Sequence, residues 1–184
     1  MAGFPRLRLE GIGLYRIHSA RRNPWWFSND GSGRFDLPKH GPFGTCYWAR
    51  EPLGCFLEVF RYSHLVPEEE IAARRIARVE VTGLQVADCT SGLSRRFGLT
   101  GEIHSTPNYS VTQSWASAFQ QAGFDGIQYL LRHDPGQKLS GIALFGPAGS
   151  QPWPVSSTEP IGAQILKEAE HRFGIKRLQV PPPE

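Results

Sequence analysis

Three side chains with complementary chemistry lie close together in the first third of the chain: Arg34, Tyr47 and Glu58. A guanidinium group can grip a phosphate at two points. A tyrosine offers a ring face for stacking and a hydroxyl for orientation, and a carboxylate stabilises a developing positive charge. Together these groups could hold a phosphate-rich ligand, stack on a ring and stabilise a sugar cation. We therefore take them as the candidate catalytic residues.

Other chemistries have weaker support. Cys46, Cys55 and Cys89 form an odd, widely spaced set that matches neither a zinc pattern nor a disulfide framework, so we expect reduced cytosolic thiols. The six histidines are scattered, and we expect no metal site. No G-x-G-x-x-G segment follows a predicted strand, which argues against a Rossmann mode of dinucleotide binding. Cys46 is interpreted as a core thiol rather than a nucleophile.

The bulk composition is that of a globular protein. The chain has 184 residues, of which 40% are hydrophobic and 20% charged, enough for one domain with a sizeable core. A net charge of +3 is too small to predict a nucleic-acid partner. The N-terminus lacks the apolar core of a signal peptide, and no apolar run approaches the ~18 residues of a membrane span. We therefore expect a cytoplasmic protein with no membrane partner.

The elements that must position the three side chains are predicted from periodicity and turn residues. A strand is predicted over 14–18, a long connection over 19–43 and a second strand over 44–49. Arg34 then lies in the connection, Tyr47 in the second strand and Glu58 in a helix that begins at Pro52.

Glu58 lies off the apolar face of this predicted helix. That face carries residues at the i, i+3, i+4, i+7 spacing of a core stripe, namely Leu53, Phe56, Leu57 and Phe60. The helical wheel alone favours a solvent-facing Glu58 paired with Arg61, because surface glutamates are common.

The rest of the chain mixes helices and strands without a regular βαβ alternation, which favours an α+β fold. A second helix is predicted from Pro67, with Arg74, Arg75 and Arg78 in its later turns. A third should begin at the capping box Ser110–Gln113 and end at Gly123. The remaining predictions are strands over 79–81, 84–86, 126–131 and 141–145, a last helix over about 160–173, and an extended tail at 181–183.

Several blocks, in their order and spacing, resemble the RES domain over roughly residues 12 to 146. The opening blocks are Tyr15-Arg16-Ile17, Gly33-Arg34-Phe35-Asp36, Gly44-Thr45-Cys46-Tyr47-Trp48-Ala49 and Phe56-Leu57-Glu58-Val59. The closing blocks are Trp115-Ala116-Ser117-Ala118, Ala122 to Ile127 and Arg132-His133-Asp134. We accordingly expect a RES-like domain over 1–146, followed at 147–184 by a Pro-rich connection and a C-terminal helix that packs on the same domain.

The resemblance implies a fold like that of the ADP-ribosyltransferases, with a mixed β-sheet core and flanking helices. It implies a toxin of a toxin–antitoxin pair that is neutralised by a helix-turn-helix (Xre-type) antitoxin, and it leaves assembly into larger oligomers open. NAD would be a substrate rather than a cofactor, cleaved at the nicotinamide–ribose bond by hydrolysis or phosphorolysis. The alternatives are transfer of ADP-ribose to a protein or nucleic acid, and a binding module that has lost activity.

The residue roles implied by the resemblance follow the motifs. Arg34, Tyr47 and Glu58 would be the family's arginine, tyrosine and glutamate. For Arg16 and Arg132 it is the guanidinium chemistry, not the resemblance, that predicts either phosphate contacts or surface or structural ion pairs. The family's serine should stand where this chain has Leu131, and a leucine can neither donate nor accept a hydrogen bond. Ser140 is the nearest serine downstream. This departure motivates the binding-module alternative.

Overall fold

The computed structural model describes residues 1–61 and 63–178, so the predicted extended tail at 181–183 lies outside the described residues. Eight strands of the described residues form one sheet: β1 Arg6–Leu9, β2 Ile12–Ser19, β4 Phe43–Ala49, β6 Arg74–Val81, β7 Leu84–Asp88, β8 Gly126–Leu130, β9 Ser140–Pro147 and β11 Ser157–Glu159. Their spatial order is β1-β7-β8-β9-β4-β2-β6-β11. Of the registered pairs in this sheet, β7 and β8 are parallel and the others antiparallel.

Helices and short strand pairs flank this sheet. The helices are α1 Pro52–Phe60, α2 Glu68–Ala72, α3 Glu102–Ser105, α4 Tyr109–Gln121 and α5 Ala163–Phe173, with a 3-10 helix at Gly92–Phe97. The strand pairs are β3 Trp26–Phe27 with β10 Gly149–Ser150, and β5 Leu65–Pro67 with β12 Lys176–Leu178. A mixed sheet with flanking helices confirms the predicted α+β class. No helix within the described residues is long and apolar enough to cross a bilayer.

The sheet is nearly split where β2 meets β4. These two strands share one registered pair, Tyr15 with Ala49. On their other edges β2 pairs with β6 along all eight of its residues, and β4 pairs with β9 along all seven. The two strands therefore diverge from a single contact, and backbone groups of both face the space between them.

An apolar core lies on each face of the sheet. Because successive strand residues point to opposite faces, Tyr47 packs against the core that contains α1, whereas Cys46 and Trp48 belong to the other core. The first core buries the predicted stripe of α1, namely Leu53, Phe56, Leu57 and Phe60. This confirms the prediction of a helix at Pro52 with that face inward.

Two local predictions were wrong. Arg74, Arg75 and Arg78 belong to β6 rather than to a helix, because α2 ends at Ala72. The alternating burial of Ala77, Val79 and Val81 has the period of a strand.

The helix predicted from the capping box is α4, and its N-cap lies two residues before the predicted N-cap Ser110. Its N-cap is Asn108, whose side chain accepts a hydrogen bond from the Ser110 amide. Val111, expected on the buried stripe, is 48% exposed.

The segment after residue 146 packs against elements from the first half of the chain. Its strands β10, β11 and β12 pair with β3, β6 and β5, and α5 packs against α1. These contacts agree with the expected packing on one domain, while the division at residue 146 stays a prediction.

Candidate functional site

All five residues predicted for the site line one cavity of about 360 Å³. They come from distant parts of the sequence: Arg16 from β2, Arg34 from the loop before β4, Tyr47 from β4, Glu58 from α1 and Arg132 from the segment after β8. The cavity opens where β2 and β4 diverge, since residues of both strands line it. Their catalytic and binding roles stay predictions.

Arg34 is carried by a tight turn over Gly33-Arg34-Phe35-Asp36. The Asp36 amide donates to the Gly33 carbonyl at 3.3 Å, and the Gly33 amide donates to Asp36 Oδ2 at 2.8 Å. A Cβ on Gly33 would lie 2.4 Å from Asp36 Oδ1 and 2.5 Å from the Tyr47 hydroxyl. Only glycine fits there without displacing both side chains.

The Tyr47 hydroxyl ties this turn to β4. It donates to Asp36 Oδ1 at 2.7 Å and accepts from the Phe35 amide at 2.9 Å. Burial raises the pKa of the Asp36 carboxyl and raises that of the Tyr47 phenol well above its ordinary value. The hydroxyl is thus occupied in positioning Arg34, while the residue still lines the cavity.

The guanidinium and backbone of Arg34 are held from a second direction. Arg34 Nη1 donates to the His104 carbonyl, and the Arg34 carbonyl accepts from the Thr112 hydroxyl. The guanidinium carbon lies 5.7 Å from the centre of the Tyr109 ring. Burial, and then the positive charge of Arg132, lower the pKa of Arg34. The side chain is fixed at the cavity wall before any ligand arrives.

Glu58 projects into the same cavity and is half-buried, so the solvent-facing interpretation from the helical wheel was wrong. Burial raises the pKa of its carboxyl, and the charges of Arg61, Arg34 and Arg132 act in the opposite direction. Arg61 also donates to the Glu58 backbone carbonyl. One carboxylate thus faces several cations in a partly desolvated space.

The two further arginines have structural contacts as well as cavity positions. Arg16 Nη1 donates to the Trp26 carbonyl at 3.2 Å and to Cys46 Sγ, which ties β2 to β3 and to β4. Arg132 Nε donates to His133 Nε2 at 3.1 Å. Burial, followed by the charge of Arg132, lowers the pKa of His133 to about 4. His133 is therefore neutral near pH 7 and can accept that hydrogen bond.

Leu131, at the position of the expected serine, packs in the core. It is 1% exposed. One of its methyl groups would lie 3.1 Å from a Cβ added to Gly54, and the other would lie 3.0 Å from a Cβ added to Gly141. Leu131 thus fills the space between α1 and β9. Ser140 lies opposite Leu130 at the start of β9. The hydroxyl-bearing residues that line the cavity are Ser28, Ser32, Tyr47, Tyr109 and Tyr129.

Sequence reasoning missed the residues that hold Arg34 in place. Asp36 was part of a recognised motif, and its spacing from Gly33 is that of a side chain closing its own turn. His104 and Thr112 are separated from Arg34 by 70 and 78 residues, and no local pattern indicates them. Tyr129, whose ring centre lies 4.8 Å from that of Phe35, supports the turn from β8.

Comparison with known proteins places the chain in a family. The sequence matches the RES domain over residues 13–161. The chain belongs to the RES domain family. Arg16, Arg34, Tyr47, Glu58 and Arg132 all lie within the matched residues, so the cavity is a feature of the RES domain part of the chain.

A solved structure has the same fold. The chain is similar to one in the crystal structure of the M. tuberculosis MbcT-MbcA toxin-antitoxin complex, with a TM-score of 0.65 and 20% identity over 82% of this chain and 84% of that chain. At this identity the likeness shows the fold of the RES domain alone. A comparison with curated protein sequences gives no match.

We expect Gly33→Ala to destabilise the fold and to displace Arg34, because the new methyl group would overlap Asp36 and Tyr47. Overpacking of this kind costs about 1–3 kcal/mol in the free energy of unfolding. Chemical denaturation measures it. Gly92→Ala is the matched control, since a Cβ there meets nothing within 4 Å. Equal stability of the two variants would contradict the packing described for the Gly33 turn.

Proposed function

We propose that the protein is a RES-type toxin that consumes NAD by cleaving its nicotinamide–ribose bond, and that an antitoxin neutralises it. The observation that supports this most strongly is the convergence of Arg34, Tyr47 and Glu58 on one cavity that also contains Arg16 and Arg132. A dinucleotide carries a pyrophosphate, flat rings and a sugar that becomes cationic during cleavage. Each has a chemically matched partner in this cavity.

The reaction divides among these residues as follows. The bond between the ribose C1′ and the nicotinamide nitrogen breaks, and its electron pair leaves with nicotinamide, which departs neutral and needs no proton. The ribose becomes oxocarbenium-like, and the ionised Glu58 carboxylate stabilises that charge and holds a ribose hydroxyl. An acceptor oxygen then bonds to C1′, and where water is the acceptor it releases a proton.

The arginines hold the other end of the ligand. A guanidinium fork grips phosphate in two places, and Arg34 is fixed for this by the turn that contains it. Arg16 and Arg132 supply further positive charge on the cavity wall. Tyr47 presents its ring to nicotinamide while its hydroxyl keeps the Arg34 turn in place.

The antitoxin partner is proposed from the fold. The similar solved chain comes from a toxin-antitoxin complex. We infer a protein antitoxin for this chain, of the helix-turn-helix (Xre) type that the family resemblance implies.

We expect the wild-type protein to release nicotinamide from NAD and Glu58→Gln to lower turnover by roughly 100-fold or more, because electrostatic groups at reacting centres contribute about 10²–10³. Nicotinamide release by chromatography is the measurement. Dependence on added phosphate separates phosphorolysis from hydrolysis, and a labelled macromolecule would mark ADP-ribose transfer.

Glu51→Gln is the matched control for this experiment. Glu51 is exposed, precedes the same helix and makes no capping hydrogen bond with its side chain. We expect it to retain wild-type turnover. Unchanged turnover in a folded Glu58→Gln protein, or no NAD loss with the wild type, would refute the proposed function.

The pH dependence of kcat/KM should report Glu58. The ionised form is the active one, and burial raises the pKa of Glu58, so activity is lost as the pH falls through this raised pKa. Arg61 is the first of the cations that lower this pKa. Arg61→Gln should therefore move the acidic limb to higher pH, while Arg96→Gln, an exposed change on the 3-10 helix, should not. An unmoved or lowered limb in Arg61→Gln would contradict the assignment.

A further inference from the structure

A second, larger cavity of about 620 Å³ adjoins the catalytic one. Arg61 and His133 line both cavities and so form a shared wall. The end of α5 also lines the second cavity, through His171, Arg172 and Phe173. These α5 residues lie beyond the 13–161 match to the RES domain, so this cavity includes a part of the chain outside the family match.

The charge of this cavity is one-sided. Its titratable lining groups are three cations, three imidazoles and one carboxylate: Arg61, Lys138 and Arg172; His64, His133 and His171; and Asp134. They come from at least three separate segments of the chain. The dipole of α5 favours basic residues in its last turn and accounts for His171 and Arg172. It does not account for Lys138, His64 and Arg61, which converge from other elements.

The single carboxylate stays ionised, but its oxygens are already hydrogen-bonded to the backbone. Asp134 Oδ2 accepts from the amides of Lys138 and Leu139 at 2.7 and 2.8 Å, and Oδ1 accepts from the Gly136 amide at 3.1 Å. These backbone hydrogen bonds outweigh burial and lower the pKa of Asp134. Arg172 is paired with Glu168 on the outer turn of α5 at 3.2 Å. Among the other lining residues, Arg61 and Lys138 carry positive charge.

We propose that this second cavity binds a phosphate-bearing anion. Cationic side chains on several elements suit a phosphate group, which accepts hydrogen bonds on all sides. Leu57, Phe173 and Ile175 add an apolar wall. A phosphate monoester with an apolar or aromatic portion therefore fits the lining better than inorganic phosphate does. An anion bound there would face Arg61 and His133 and so would act on the wall of the catalytic cavity.

The test is calorimetric titration of the protein with inorganic phosphate and with phenyl phosphate at constant ionic strength. We expect both to bind, phenyl phosphate more tightly because of the apolar wall. Lys138→Gln should weaken both by about tenfold, the equivalent of one charge-assisted hydrogen bond. Lys167→Gln is the matched control, since Lys167 lies on α5 but lines a different groove, between α5 and α2. It should bind as the wild type does.

A third variant separates the two cavities. Arg34→Gln removes the guanidinium proposed to hold phosphate in the catalytic cavity, so it weakens any anion bound there, and we expect the binding that Lys138→Gln weakens to persist in Arg34→Gln. Weaker binding in Arg34→Gln with unchanged binding in Lys138→Gln would place the anion in the catalytic cavity and overturn the proposal. Absence of binding, or equal effects of Lys138→Gln and Lys167→Gln, would also overturn it. None of these titrations uses NAD, so they succeed or fail independently of the proposed reaction.

Discussion

The hydrogen bond from the Tyr47 hydroxyl to the buried Asp36 carboxylate is the contact on which the site depends. Asp36 is 1% exposed, and a buried carboxyl is tolerated only when its oxygens are hydrogen-bonded. Tyr47 and the Gly33 amide meet that need, and in doing so they fasten a loop to β4. An unsatisfied buried group costs about 1–3 kcal/mol, so the turn has a strong reason to keep one geometry. Because Arg34 is the second residue of the turn, the same contacts fix the position of its backbone.

The turn that carries Arg34 lines the cavity that opens where the sheet is nearly split. Strands β2 and β4 share one registered pair, and the cavity opens where they part. Arg16 spans the gap between the strands by donating to the Trp26 carbonyl and to Cys46 Sγ, and these hydrogen bonds hold the two strands at a fixed separation. Glu58 enters from α1, which begins directly after β4. The result is one partly desolvated carboxylate among several cations, a distribution suited to a ligand that is anionic at one end and becomes cationic at the other.

Much of this could be predicted from the sequence, and the rest could not for identifiable reasons. Periodicity located β2, β4 and the buried face of α1, since those signals are local. The family blocks identified five residues that the fold brings to one cavity. The helical wheel misplaced Glu58 because a wheel shows which side of a helix faces the core, but not that another segment closes over the opposite side. The supports from His104 and Thr112 depend on contacts between residues far apart in sequence. The charge pattern favours a helix that includes Arg74, Arg75 and Arg78, but the alternation of buried residues favours the strand that the structure has there.

The most direct test of the account is a double-mutant cycle between Tyr47→Phe and Arg34→Gln, with kcat/KM for NAD as the readout and chemical denaturation to establish that each variant is folded. If Tyr47 acts by positioning Arg34, its hydroxyl is worth little once the guanidinium is gone. The double variant should then be about as active as Arg34→Gln alone, so the two losses are strongly non-additive. Losses that simply add would show that the two residues act independently and would contradict the central role given to the Tyr47–Asp36 contact.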